Sequence, residues 1–428
     1  MARESLLHHR DFRLLWLGQS VSELGTAVTG TAIPLLAALV LAATPFQMGL
    51  LSAAQSAAFL LIGLPAGVWV DRMSRRRLML GADLGRTVLL LTVPAAWWAG
   101  VLTLTQLILV GLLVGVLTVF FDVAYQSYLP ALVSRAHLVE GNAKLTATQE
   151  TAEIGGPALG GGLTQWFGAA NAVLADAASY LVSALCLWRI RAIEPVPERL
   201  AEQNLRAQIA EGLRFVFGNR MLTAIVSTTG LSNFFTNVMS AVSVLLLTRQ
   251  LGASAGEVGL LMAGGSLGGV LGALSSGWVI TRIGQARTIW LSLVVTAPFA
   301  LIIPLAGHGL ALLLFAAGNI IVWYGGVIYN VAQVSFRQSI CPDRLLGRMN
   351  ASVRFAVWGT MPLGGLAGGG LGELIGIRGT MWVGAIGTVA ATLCLVLSPL
   401  RRLRDLPTEA EPAATSEPAE PTDGQVSG

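Results

Sequence analysis

Apolar residues fill the chain in long runs, separated by short polar stretches rich in arginine, glycine and proline. Each run holds about 20 residues, enough for a helix to cross roughly 30 Å of hydrocarbon. The runs predict twelve membrane helices, over about residues 13–40, 47–70, 78–99, 103–125, 147–166, 171–189, 221–248, 257–280, 288–306, 309–332, 352–373 and 378–399. Helices are required there, because hydrocarbon offers backbone groups no water and an open strand edge would stay unpaired. The stretch after Arg13 is too long for the core of a cleaved leader, so it reads as a retained first span. Between the sixth and seventh runs, residues 190–220 hold an amphipathic pattern with Leu205, Ile209, Leu213 and Phe217 on one face. Residues 401–428 are rich in proline, glutamate and alanine and read as a disordered tail. The predicted organisation is therefore a six-helix half over 1–189, a linker with a surface helix over 190–220, a second six-helix half over 221–400, and the tail.

Composition sharpens this to an all-α integral membrane protein. The 428 residues are 54% hydrophobic and 12% charged, with mean hydropathy +0.69. Soluble domains carry about 25% charged residues, so an ordinary cytosolic enzyme, a disordered chain and a nucleic-acid-wrapping protein are excluded. Of the 27 basic residues, all but Arg86, Arg249, Arg354 and Arg378 fall in segments on one side of the predicted spans. By the positive-inside rule that side is cytosolic, with both termini inside a bacterial inner membrane. The excess of positive charge is topology and does not point to a nucleic-acid partner. No G-x-x-x-x-G-K-[ST] loop is present, the four histidines show no metal spacing, and the three cysteines form no C-x-x-C. No cofactor and no metal is expected.

Displacing the chain on itself by 210 positions aligns the halves. Gly49-Leu50-Leu51 falls on Gly259-Leu260-Leu261, Gly67 on Gly277, Arg72 on Arg282, Arg77 on Arg287, and Ser22-Glu23 on Ser232-Asn233. At a nearby offset Asn142-Ala143 matches Asn350-Ala351. Repeated six-span halves are an arrangement of secondary transporters, which bind substrate between the halves near the midplane.

Two motifs go further. Gly67-Val-Trp-Val-Asp71-Arg72-Met-Ser-Arg75-Arg76-Arg77 closes span 2, and Ala152-Glu-Ile-Gly-Gly156-Pro157-Ala-Leu-Gly160-Gly161 lies in span 5. By composition alone the first is either a network of charges at a helix end or a basic loop that fixes topology. The second is a kinked, closely packing helix face. The first resembles the G-x-x-x-D-R-x-x-R-R motif of the major facilitator superfamily, with Ser74 in place of the second glycine. The second resembles the G-x-x-x-G-P-x-x-G-G motif of its antiporters, with Ala152 in place of the first glycine. Together with Asn142-Ala143 and the run Asp176 to Leu181, they are similar to the drug:proton antiporter branch that includes macrolide-type and enterobactin-type exporters. The resemblance implies the major facilitator fold, alternating access by rocking of two pseudo-symmetric halves, and a cytosolic latch. That latch would comprise Gly67, Asp71, Arg72, Arg75 and Arg76, with Asp83 and Arg86 nearby.

Ionisable groups inside spans are costly and point to function by default. Glu23 lies about 11 residues into span 1, roughly 16 Å deep, and is the first candidate for proton coupling. A carboxylate held by a neighbouring helix or exposed to a water-filled cavity is the alternative. Asp122 and Glu153 are further candidates. Structural pairing of Asp122, Glu150 and Glu153, for instance with Arg354, is the competing reading. Asp83 and Arg86 are spaced to pair with each other, Asp176 reads as structural, and Glu373 as solvated at a helix end. Around the midplane, Gln55, Phe59, Tyr125, Gln126, Asn233, Phe234, Asn237, Asn319, Trp323 and Tyr324 are candidates for a cavity suited to bulky amphiphilic or cationic solutes. The expected activity is proton-coupled efflux of an amphiphilic drug-like molecule or secondary metabolite by a monomer. Alternatives are an importer or facilitator of a small nutrient, a non-transporting membrane receptor, and an intramembrane enzyme.

Overall fold

The computed structural model describes residues 6, 9–70, 73–133, 137–191, 205–341 and 343–404. Asp71, Arg72 and the tail from 405 onwards lie outside the described residues. The first half holds α1 (Arg10–Leu35), α2 (Pro45–Val70), α3 (Arg75–Trp98), α4 (Leu104–Leu132), α5 (Leu138–Phe167) and α6 (Ala169–Arg189). After α7 (Leu205–Gly218) the second half holds α8 (Arg220–Leu245), α9 (Ala255–Ile283), α10 (Gln285–Thr296), α11 (Leu313–Ile340), α12 (Asp343–Trp358), α13 (Thr360–Ala391) and α14 (Leu393–Val396).

Ten stretches among the described residues are long and apolar enough to cross a membrane. Two further crossings complete the twelve. One is α5, whose glycines, threonines and glutamates lower its hydropathy. The other is hidden inside Ser352–Val396, a single 45-residue stretch. It turns back at Gly376, where φ is 78°, a conformation open to glycine at no steric cost.

Two details differ from the sequence reading. The ninth span is α-helical only to Thr296 and continues as 3-10 turns over Ala297–Leu305, because Pro298 and Pro304 lack the N–H that an α-helix needs. The surface helix α7 forms, but Phe217 is 55% exposed while its neighbour Val216 is buried, so the packed face at its end runs through Val216.

The halves repeat down to local geometry. A π-turn extends α1 over Leu36–Val40, and another extends α8 over Leu246–Gln250, 210 positions later. Ala42 follows the first with φ 50°, and Gly252 follows the second with φ 65°.

The three largest apolar cores define the shape. Leu35, Leu36, Met48 and Leu51 share one cluster with Leu245, Leu246, Leu247 and Val258, so the halves are fused at the end of the bundle away from the termini. Toward the termini the cores separate. Phe12, Met79, Phe121 and Tyr128 belong to one half, and Leu222, Tyr329, Phe336 and Val353 to the other.

Candidate translocation site

The fused end is closed by two glycine seams. In the α5–α9 seam, a Cβ on Gly161 would lie 2.5 Å from the Ala255 carbonyl oxygen and 2.8 Å from Gly259 Cα. In the α2–α13 seam, a Cβ on Gly369 would lie 2.9 Å from Gly49 Cα. Glycine permits backbones to approach this closely. Polar contacts across the halves reinforce the closure at the same end. Arg249 donates to the Ala38 carbonyl at 3.1 Å, Gly256 N–H to Gln165 Oε1 at 2.8 Å, and Phe46 N–H to Glu373 Oε1 at 3.3 Å. Glu373 is exposed, as expected, and also caps the start of α2.

Below the seams a cavity of about 520 Å³ lies between the halves. Its walls come from α1, α5, α8, α9, α11, the 3-10 segment after α10, and α13. Glu150, Glu153 and Pro157 line it from α5, and Asn319 and Trp323 from α11. Ser266 on α9 donates to the Glu153 carbonyl oxygen at 2.7 Å, fixing that wall. Asn319 keeps its amide within its own helix, donating to the Phe315 carbonyl at 2.8 Å.

A second polar cluster sits inside the first half, between α1, α3, α4 and α6. Asp83 and Arg86 form a buried ion pair, 0% and 3% exposed. The Arg86 guanidinium lies 4.1 Å from the Tyr180 ring centroid and 4.4 Å from that of Phe121. Gln19 donates to Glu23 Oε1 at 2.6 Å. Glu23 is within electrostatic reach of Arg86, and Asp122 of Glu23, Arg86 and Arg354. Glu153 in turn feels the charges of Glu23 and Glu150. Acidic groups thus run from the buried pair through Asp122 and Glu23 to the cavity wall. Tyr180 and Thr26 share a hydrogen bond of 2.8 Å, and Ser179 donates to Asp176 Oδ1 at 3.1 Å, so Asp176 joins the α1–α6 packing.

The remaining expected residues have other surroundings and lie outside the cavity lining. Gln55 packs on α4, where a Cβ on Gly111 would meet its Cγ at 3.2 Å. Phe59 meets Trp358 edge-on at 4.5 Å, joining α2 to α12. Tyr125 stacks on Phe121 at 6.1 Å with its hydroxyl buried and unpartnered, and Gln126 is exposed. Asn237 donates to the Asn233 carbonyl at 2.9 Å, and both Phe234 and Asn237 pack against Gly364. Tyr324 accepts from Ser275 at 3.2 Å, tying α11 to α9. Arg354 lies over the Trp358 ring at 5.0 Å, and no ion pair holds Asp122, Glu150 or Glu153 among the described residues.

Of the latch residues, Gly67 ends within α2 and Arg75 opens α3, while Asp71 and Arg72 lie outside the described residues. Arg76 donates to the carbonyls of Leu187 and Trp188 at 2.9 and 2.6 Å. A cation at the negative end of α6 is favourable there. Asp83 and Arg86 are enclosed by α3, α4 and α6.

In the span-5 motif, Gly156 and Gly160 face α1, and Gly161 faces α9. Pro157 lines the cavity, and its carbonyl oxygen would lie 2.4 Å from a Cβ on Gly259. Sequence reasoning missed the counterpart of this motif, Gly364-Gly365 and Gly368-Gly369 at an offset of 208. It also missed Thr236, Ser240 and Ser243, which line the cavity from α8. Their spacing of four and three puts them on one helical face, but α8 carries many other small polar residues that mask the pattern.

Comparison with known proteins agrees with this architecture. A family model described as a transmembrane secretion effector, MFS_3, matches residues 4–425. The enterobactin exporter EntS of Salmonella typhimurium is 29% identical over 429 positions, covering 93% of this chain and 95% of that protein. The enterobactin exporter of Citrobacter koseri is 28% identical over 424 positions, covering 93% and 94%. A bacterial homologue of the iron transporter ferroportin, in its inward-facing crystal structure, superposes with a TM-score of 0.72 at 16% identity, over 92% of this chain and 99% of that one. The nucleoside transporter NupG superposes with a TM-score of 0.71 at 13% identity, over 92% and 99%. At such identities the likeness to solved structures is one of fold. With a family match over nearly its whole length and two six-helix halves around a central cavity, the chain belongs to the transmembrane secretion effector family of major facilitator transporters.

Proposed function

We propose that the chain is a proton-coupled exporter of a secondary metabolite or drug-like molecule, working by alternating access in a bacterial inner membrane. Its relatives named as enterobactin exporters support export as the direction. The concentration of arginine on the termini side supports cytosolic termini. One chain supplies both halves and the whole cavity, which supports action as a monomer. The linker over 190–220 joins the halves, and residues 401–428 form a cytosolic tail.

The observation that carries the coupling is the line of acidic groups from Asp122 through Glu23 to Glu153 at the cavity wall. Closure at the far end leaves the cavity facing the termini side, where substrate enters. Proton binding by these carboxylates and substrate binding in the cavity then favour opposite states of the two halves. Gly67, Asp71, Arg72, Arg75 and Arg76 act at the termini side in the alternate state, and Asp83 with Arg86 holds α3 in place beside Asp122. Everted membrane vesicles test the proposal. An acid interior should drive uptake of the exported compound, and a protonophore should abolish it. Glu23→Gln should lower gradient-driven uptake about tenfold, the equivalent of about 1.4 kcal/mol of coupling. Uptake by Glu23→Gln equal to wild type, with the same response to the gradient, overturns the assignment of Glu23.

A further inference from the structure

Building on the reading of the acidic groups as the proton path, we infer that the Tyr125 hydroxyl passes the proton between Asp122 and Glu23. Tyr125 lies outside the cavity lining, and its polar end has no packing task.

The first ground is the idle hydroxyl. Tyr180 shares a hydrogen bond with Thr26, Tyr329 shares one with Thr229 at 2.7 Å, and Tyr324 accepts from Ser275. Each of those hydroxyls ties two helices together. The Tyr125 oxygen is buried with no hydrogen-bond partner. Leaving a buried polar group unpaired costs about 1–3 kcal/mol, so packing alone gives no reason for tyrosine over phenylalanine at this position. The 210-residue repeat agrees. Ser335 stands at the matching position, and its hydroxyl bonds within its own helix, donating to the Val331 carbonyl at 2.9 Å. The idle hydroxyl therefore belongs to the half that holds the acidic groups.

The second ground is position. Tyr125 is three residues from Asp122, so the two share a face of α4. The charges that reach Tyr125 are those of Glu23 and Asp122. Its ring is held in place by stacking on Phe121, which in turn lies 4.4 Å from the Arg86 guanidinium. Asp122 has charged neighbours but no hydrogen-bond partner among the described residues, and the hydrogen bond that Glu23 accepts comes from Gln19. The two carboxyls are thus not bonded to each other. A proton crosses between them only over a group within hydrogen-bond reach, directly or through one water. A phenol suits this task because it both accepts and donates. As its oxygen takes a proton from one carboxyl, its own O–H proton leaves for the other. One O–H bond forms and one breaks, the donor ends ionised and the acceptor protonated, and Tyr125 is neutral before and after.

The test follows protonation of the two carboxyls by time-resolved infrared absorption after a rapid fall in pH. It uses the purified full chain in detergent, with no exported compound and no gradient. Glu23→Gln and Asp122→Asn each remove one carboxyl band and so assign the two. In wild type the bands should rise together. In Tyr125→Phe, which keeps the ring on Phe121, one band should lag the other by about tenfold or more, with both final amplitudes unchanged. Tyr125→His, which restores a side chain that accepts and donates protons, should shorten the lag. Bands that rise together in Tyr125→Phe overturn the inference. So does a lag that histidine leaves as long as phenylalanine does, or a changed final amplitude, since either assigns Tyr125 to packing around the carboxyls. Failure here leaves proton-driven export standing with Tyr125 outside its path, and failure of the vesicle experiment leaves the transfer between the carboxyls standing.

Discussion

Val28 and Val238 sit 210 positions apart, and each presents its carbonyl oxygen to a glycine. A Cβ on Gly160 would lie 2.7 Å from the first, and one on Gly368 would lie 2.4 Å from the second. The same duplication holds for the seams at Gly161 and Gly369, for the π-turns that end α1 and α8, and for Ala42 and Gly252. Polarity does not follow. Glu23 is matched by Asn233, Asp83 by Leu293, and Arg86 by Thr296. Where Arg86 pairs with Asp83 in the first half, Thr296 bonds only within its own helix, donating to the Ser292 carbonyl at 2.7 Å. Backbone approach is thus a property of both halves, and the membrane-embedded acidic groups belong to one. On the proposed function, closing and opening need the shared part, and coupling to protons needs the unshared part.

The largest effect should come from breaking the unshared part. Arg86→Thr, which installs the second-half residue, leaves Asp83 buried without its partner and should cost about 3–5 kcal/mol. Adding Asp83→Leu should recover much of that loss, since it removes the buried charge left without a partner. Unfolding of each variant in detergent measures both numbers. A double variant as unstable as the single would mean that the pair supports more than its own half, and the comparison would need redrawing.

The shared part is tested at its seams. Gly161→Val and Gly369→Val each force a side chain against backbone and should cost about 1–3 kcal/mol, with transport lost in both. Tolerance of valine at one seam alone would break the equivalence of the halves. A smaller effect is expected at Arg249, whose bond to the Ala38 carbonyl has no twin from the first half, because residue 39 is leucine. Arg249→Ala should favour opening at the fused end by about 1 kcal/mol. Labelling of Asn319→Cys from that side should rise accordingly, and unchanged labelling would assign closure to the glycines alone. The smallest change is Ala42→Gly, which matches Gly252 and relieves a left-handed backbone. It should raise stability by about 0.4–1 kcal/mol in thermal unfolding.

Much of this was legible in the chain. Hydropathy gives spans because hydrocarbon enforces helices, and the 210-residue repeat is carried by glycines and arginines that stand out against an apolar background. The Asp83–Arg86 pair follows from helical spacing alone. The cavity was less legible. Depth along a helix says how far in a residue lies but not which way it faces, so Asn319 and Trp323 were foreseen in company with Gln55 and Asn237, which pack against other helices. Thr236, Ser240 and Ser243 hid among generic small residues. The α5 crossing holds Glu150 and Glu153 beside its glycines, and neither is in an ion pair among the described residues, which no linear pattern encodes.

The central claim is that the acidic groups of the first half carry the protons. It is tested most directly by pyranine trapped in proteoliposomes, which records proton flux as the transported compound is added. Wild type and Asn233→Ala should move protons at comparable rates, while Glu23→Gln should fall about tenfold. Equal flux from Glu23→Gln and wild type, or a loss confined to Asn233→Ala, would contradict the account.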